Sequence, residues 1–268
     1  MRIALVDLYA TRGGSVYHRA TAAAKILWAA TMIACAILAN DWETALGLAA
    51  IALAVLLTVR APASFSLALA FYPVVFALLF ALAIWRGSFA YPATLLLRAL
   101  TASSTLAALI LTTPYPNLFH HLHRFMPRAV CEALFLTYRA IFILVETIEN
   151  VFRSLYLRGG YGTGSLARNL RGGAVGLGVG FLRAIDLTER MNQVMVIRGY
   201  EDRLHGSLTE RLSAADALPV LLAFVAIAFS VAMRLLGETA IAIALPAAVA
   251  VAAASGVVNY VSIQDRDS

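Results

Sequence analysis

The chain has 268 residues, of which 61% are hydrophobic and 13% charged, with a mean hydropathy of +0.81 and a formal charge of +6. Soluble domains carry about a quarter charged residues, so this composition excludes an ordinary soluble domain and indicates a membrane protein. The basic excess consists of arginines and the single Lys25. No polar basic domain exists to present it to nucleic acid, so it marks cytoplasmic loops and anionic lipid headgroups instead.

Arg2, Asp7, Arg12 and Arg19 precede the first apolar run. No small-residue cleavage site ends that run, which reads as a retained span rather than a signal peptide. Apolar stretches long enough for membrane spans follow at Ala22–Ala39, Ala45–Val59, Phe65–Trp85 and Thr94–Thr112, with two more at Ala217–Leu236 and Ala240–Val261. Cys35 and Cys131 form no C-x-x-C pair and read as buried thiols. The loop after the first span holds Asp41 and Glu43 and no basic residue, while residues 118–214 hold 12 arginines against eight acids. The positive-inside rule then puts both termini and the central stretch in the cytoplasm. The predicted organisation is four spans in residues 1–117, a cytoplasmic region in 118–214 and two spans in 215–268.

Inside the spans, Pro73 removes a backbone donor and predicts a kink. Arg98, near the start of the fourth span, is an intramembrane charge close enough to the end to snorkel. The fourth span breaks at T-T-P-Y-P, after which Leu118, Phe119, Leu122 and Phe125 predict a short interfacial helix. His120, His121 and His123 invite a metal-site reading. Neighbouring histidines on a helix point in different directions, however, and no carboxylate or thiol lies near them at ligand spacing.

From Arg128 to Arg158 the pattern is helical. Glu132, Arg139, Glu146 and Arg153 recur every seven residues, and Glu149 stands four before Arg153, the favourable order for an intrahelical pair. Phe135, Tyr138, Phe142, Val145 and Phe152 make a separate apolar stripe. The helix ends in Arg158-Gly159-Gly160-Tyr161, and a second helix ends in Arg198-Gly199-Tyr200. Each ending sets a cation at the negative pole of the helix dipole and a residue tolerant of left-handed geometry beyond it. Two such endings on amphipathic helices predict a paired docking device. The glycine-rich run between them, residues 172–180, has neither the lysine of a P-loop nor the strand and acid of a dinucleotide fold. Gly176 and Gly180, a turn apart, instead predict close helix packing.

These motifs resemble those of the transmembrane component of energy-coupling factor transporters, the EcfT/CbiQ family. H-R-A-T-A-A-A-K, His18 to Lys25, is similar to the family's N-terminal H-R-x-x-P-x-x-K segment without its proline. T-T-P-Y-P-N-L-F-H-H-L-H-R-F-M-P is similar to the segment that follows the early spans, and L-T-Y-R-A-I-F-I-L-V-E resembles the first coupling helix. E-R-M-N-Q-V-M-V-I-R-G-Y resembles the second, with Val194, Val196 and Ile197 in place of the usual small residues around Met195.

The resemblance implies an all-α polytopic membrane protein with about six transmembrane helices and two long cytoplasmic coupling helices, located in the inner (plasma) membrane. It implies a non-catalytic subunit of an ATP-driven importer that joins two ABC ATPases to a small substrate-binding membrane subunit. ATP and magnesium would reside on the ATPases, and no cofactor on this chain. The residues carried over as ATPase-docking are Arg158, Gly159, Arg198 and Gly199. Arg139, Glu146, Glu189, Arg190, Met195 and Tyr200 would support them. The cargo would be a vitamin or a transition-metal ion such as cobalt. Two other classes remain open on the residues alone. A lipid-modifying intramembrane enzyme would use Asp186 with Glu189 or Glu201 with Asp202 to hold magnesium, and a stand-alone carrier would need ionisable groups at mid-membrane.

Overall fold

The computed structural model describes residues 10–11, 15–59, 63–84, 87, 89–122, 126–159, 162, 166–199 and 214–236. All regular structure among them is helical. The chain forms two compact units, one built from residues 1–121 and 209–268 and the other from 122–208.

The first unit contains α1 (Val16–Arg19), α2 (Ala22–Leu38), α3 (Trp42–Thr58), α4 (Ala63–Ala83) and α5 (Ala90–Thr112), the short α6 (Tyr115–Leu122) that leads out of it, and α9 (Ala217–Leu236). Helices 64–83, 90–112 and 217–235 are long and apolar enough to cross a membrane by length and composition. The 17-residue α2 and α3 are equally apolar and lie at the short end of the spanning range. The expected run 240–261 lies outside the described residues.

Helix α3 is apolar on every side, and such a helix is stable only when surrounded. Leu48, Ile51, Ala52, Val55 and Leu56 are accordingly fully buried, packed among Trp28 and Met32 of α2, Leu111 of α5 and Leu222 and Phe229 of α9. Gly47 lets α9 approach, because a Cβ there would collide with the Phe229 ring. Gly47→Ala is therefore expected to lower stability by about 1–3 kcal/mol through overpacking, read as a fall in the melting temperature of the detergent-purified protein.

Helix α5 carries a hydroxyl-rich stripe that the sequence reading passed over. Thr101, Ser104 and Thr105 are fully buried, and their hydroxyls donate to carbonyls three or four residues back. Ser103 donates across to Ala70 O of α4 at 2.7 Å. In an apolar surrounding this returns each hydroxyl to a backbone acceptor while keeping the side chains small enough for close helix packing. Helix α4 continues through Pro73 and exposes Phe71, Tyr72, Val75, Phe76, Leu79 and Phe80.

Arg98 lies on α5 beside the C-terminal end of α2. Its Nε donates to Ala39 O at 3.0 Å, and its Nη2 donates to the same oxygen. Arg234 of α9 donates to the adjacent Leu38 O at 2.7 Å. Two guanidinium groups thus satisfy carbonyls that α2 itself leaves unpaired, at the negative end of its dipole. Arg98 has a helix-capping partner rather than reaching for headgroups alone.

The second unit is a pair of long helices, α7 (Arg128–Leu157) and α8 (Leu166–Ile197). They meet where α8 has no side chains. A Cβ at Gly176 would sit 3.1 Å from Leu155 and 3.3 Å from Phe152, and one at Gly180 would sit 3.3 Å from Ile148. The predicted close packing at these glycines is observed. Because α7 positions fall as α8 positions rise, the helices run antiparallel. Tyr138 and Phe142 of the aromatic stripe pack edge to face at 5.0 Å.

Candidate functional site

The two Arg-Gly endings have the same backbone geometry. At the end of α7, Arg158 N donates to Ser154 O at 3.1 Å and Gly159 N to Tyr156 O at 3.0 Å. At the end of α8, Arg198 N donates to Val194 O and Gly199 N to Val196 O, both at 3.1 Å. Gly159 and Gly199 both adopt φ +68°, in the left-handed region. A Cβ at either glycine would meet nothing within 4 Å. Backbone conformation, and not space, therefore selects glycine: an L-residue there costs about 1–2 kcal/mol.

Both arginines are exposed, and neither guanidinium makes a hydrogen bond or ion pair among the described residues. Each guanidinium is accompanied by apolar side chains that face outward. Leu157 is 77% exposed next to Arg158, and Ile197 is 84% exposed next to Arg198. Tyr156 and Val196 are exposed one residue earlier in each helix. An exposed cation flanked by exposed apolar groups has the chemistry of a surface that another protein covers.

The two endings are well separated. Arg158 is within about a turn of the α7–α8 contact, while Arg198 lies roughly 30 Å along α8 from Gly176, at 1.5 Å rise per residue. They are two separate helix ends rather than one cluster. Arg139, Glu146, Glu189 and Arg190 are exposed along the helix shafts and make no ion pair among the described residues, and Met195 is half-buried. Tyr200 lies outside the described residues. Glu149 and Arg153 are both exposed on α7, where a pair of this kind gains only about 0.3–0.5 kcal/mol. His120 and His121 rings meet edge to face at 5.6 Å, and His123 lies outside the described residues.

The first unit holds a second constellation, of which the sequence indicated only one half. His18 Nε2 donates to Leu111 O at 3.2 Å, with Ser15 Oγ 2.6 Å from its Nδ1. Lys25, 3% exposed, donates from Nζ to Thr112 O at 2.9 Å. Asp216, 8% exposed, accepts from Thr21 N at 2.6 Å. Two cationic or polar groups thus close the C-terminal end of α5, and a carboxylate closes the N-terminal end of α2, each matched to the sign of the dipole it meets.

Over residues 13–208 the sequence matches the CbiQ family, described as cobalt transport protein. The chain belongs to this family. Cobalt transport protein CbiQ of Salmonella typhimurium (strain LT2) is 33% identical over 109 residues, which are 40% of this chain and 48% of the relative. The match thus spans about half the length of that relative. The segment assigned to the CbiQ family includes His18, Lys25, Arg158 and Arg198, whereas Asp216 and α9 lie beyond it. CbiQ is a family of transport proteins, and with the long apolar helices this makes the chain an all-α membrane protein.

Proposed function

We propose that this chain is the energy-coupling membrane subunit of an ATP-driven importer, with cobalt ion as the cargo that the family description favours. The observation that carries the reading is the pair of exposed Arg-Gly endings, each with its glycine at φ +68° and lying at well-separated points of the helix pair. Two equivalent grips at that separation suit two similar partners, the two ABC ATPases. Arg158 and Arg198 each offer a planar fork to a carboxylate or to backbone carbonyls. Tyr156 with Leu157, and Val196 with Ile197, fill the apolar part of each groove.

ATP binding and hydrolysis on the partners change the angle between α7 and α8 at the Gly176–Gly180 contact. The movement passes along the chain into the membrane helices, and the exposed aromatic face of α4 meets a small substrate-binding membrane subunit. This chain performs no chemical step and binds no nucleotide itself. Its coupling helices and termini face the cytoplasm, in keeping with the arginine distribution.

Purification of the tagged full-length chain from native membranes is expected to bring down two ABC ATPase subunits and one small membrane protein. In proteoliposomes that complex accumulates cobalt(II) only with ATP. Cobalt transport by the chain alone, or its purification without any ATPase, would refute the reading.

A further inference from the structure

Within the first unit, the segment Ser15–Lys25 bonds both to the end of α5, before the chain leaves the unit, and to Asp216, after it returns. The chain leaves the first unit after His121 and re-enters it at Thr209. Shortly before the exit, His18 and Lys25 hold the carbonyls of Leu111 and Thr112. Shortly after the return, Asp216 takes the amide of Thr21. A joint separates these bonds from the exit: Thr113 breaks the helix in extended geometry (φ −127°, ψ 118°), and Pro114 has no amide to continue it.

We infer that His18, Lys25 and Asp216 form a clasp that ties the outgoing and returning chain to one element. Motion of the α7–α8 unit that reaches either end of the clasp then moves α2, α5 and α9 together instead of shifting one of them alone. The three are positioning residues for coupling, so the inference rests on the energy-coupling role proposed above. Burial strengthens the clasp. With Lys25 and Asp216 almost fully removed from solvent, water does not readily replace either charge-assisted bond. Each end of the clasp also sits on a helix terminus, so a pull on it acts along a rigid rod.

The test uses the full chain assembled with its ATPases and substrate-binding subunit, with cobalt(II) as the transported probe. Lys25→Met and Asp216→Ala are expected to leave assembled complexes that hydrolyse ATP, while cobalt delivered per ATP falls about tenfold or more, as for loss of one hydrogen bond to a charged group. Lys25→Arg, which keeps the cation and its donors, is expected to restore the ratio. Should Lys25→Met fail to assemble, His18→Ala leaves the ammonium in place and carries the same test. An unchanged ratio of uptake to hydrolysis would overturn the clasp while leaving the coupling role intact. So would parallel loss of both with a lowered melting temperature, the mark of a purely structural contact. If the unaltered complex showed no ATP-dependent uptake, the coupling role and the clasp would fall together.

Discussion

A complex carrying Arg158→Ala together with Arg198→Ala is expected to lose both ATPases and all ATP-driven uptake, with its membrane helices intact. Truncating a buried charged anchor at an interface costs about 2–5 kcal/mol, which corresponds to a roughly 30-fold to several-thousand-fold weaker grip. The membrane fold is insensitive because both side chains are exposed and bonded to nothing else among the described residues. The arginines stand far enough apart to act independently. Each single variant should therefore lose one ATPase, and the double variant both. Counting ATPases retained on purified complexes and measuring uptake into proteoliposomes checks this. A double variant that keeps both ATPases and transports at the unaltered rate would remove the docking role.

What the sequence disclosed about this site was local in origin. An arginine followed by a glycine at the end of an amphipathic helix fixes its own backbone geometry within one turn, so Arg158-Gly159 and Arg198-Gly199 could be read without knowing any distant contact. The same holds for Gly176 and Gly180, whose spacing alone puts them on one face. Helix boundaries were less legible. Helix α5 begins at Ala90 rather than Thr94, since Pro92 falls in the first turn, where its missing amide proton costs nothing. Arg98 consequently lies deeper along α5 than its sequence position suggested.

The contacts that could not be read are those between segments distant in the chain. Arg98 meets Ala39, Lys25 meets Thr112, and Thr21 meets Asp216. Each is a cap supplied to one helix by another segment, and local pattern carries no information about such a partner. His18 and Lys25 were recognisable as part of a motif, but their acceptors on Leu111 and Thr112 emerge only when the helices are packed. Asp216 had no signal at all beyond being an acid at the start of an apolar run.

The second large effect concerns the contact between α7 and α8. Gly176→Leu with Gly180→Leu is expected to force the two helices apart and abolish uptake while both ATPases stay bound. A methyl at Gly176 already approaches Leu155 and Phe152 closely, and one at Gly180 approaches Ile148. Leucine adds bulk that the contact has no room for, at a cost of about 1–3 kcal/mol for each overpacked position. The helices escape that cost by splaying, which changes the angle that the ATPases are proposed to drive. Arg158 and Arg198 keep their local capping geometry, because neither helix end is altered. Spin labels replacing the exposed Asn150 and Gln193 should report a larger separation by pulsed dipolar spectroscopy, alongside retained ATPases and lost uptake. Normal uptake despite increased separation would mean that the α7–α8 angle does not transmit the motion. Loss of the ATPases along with uptake would mean that docking and lever geometry are one property rather than two.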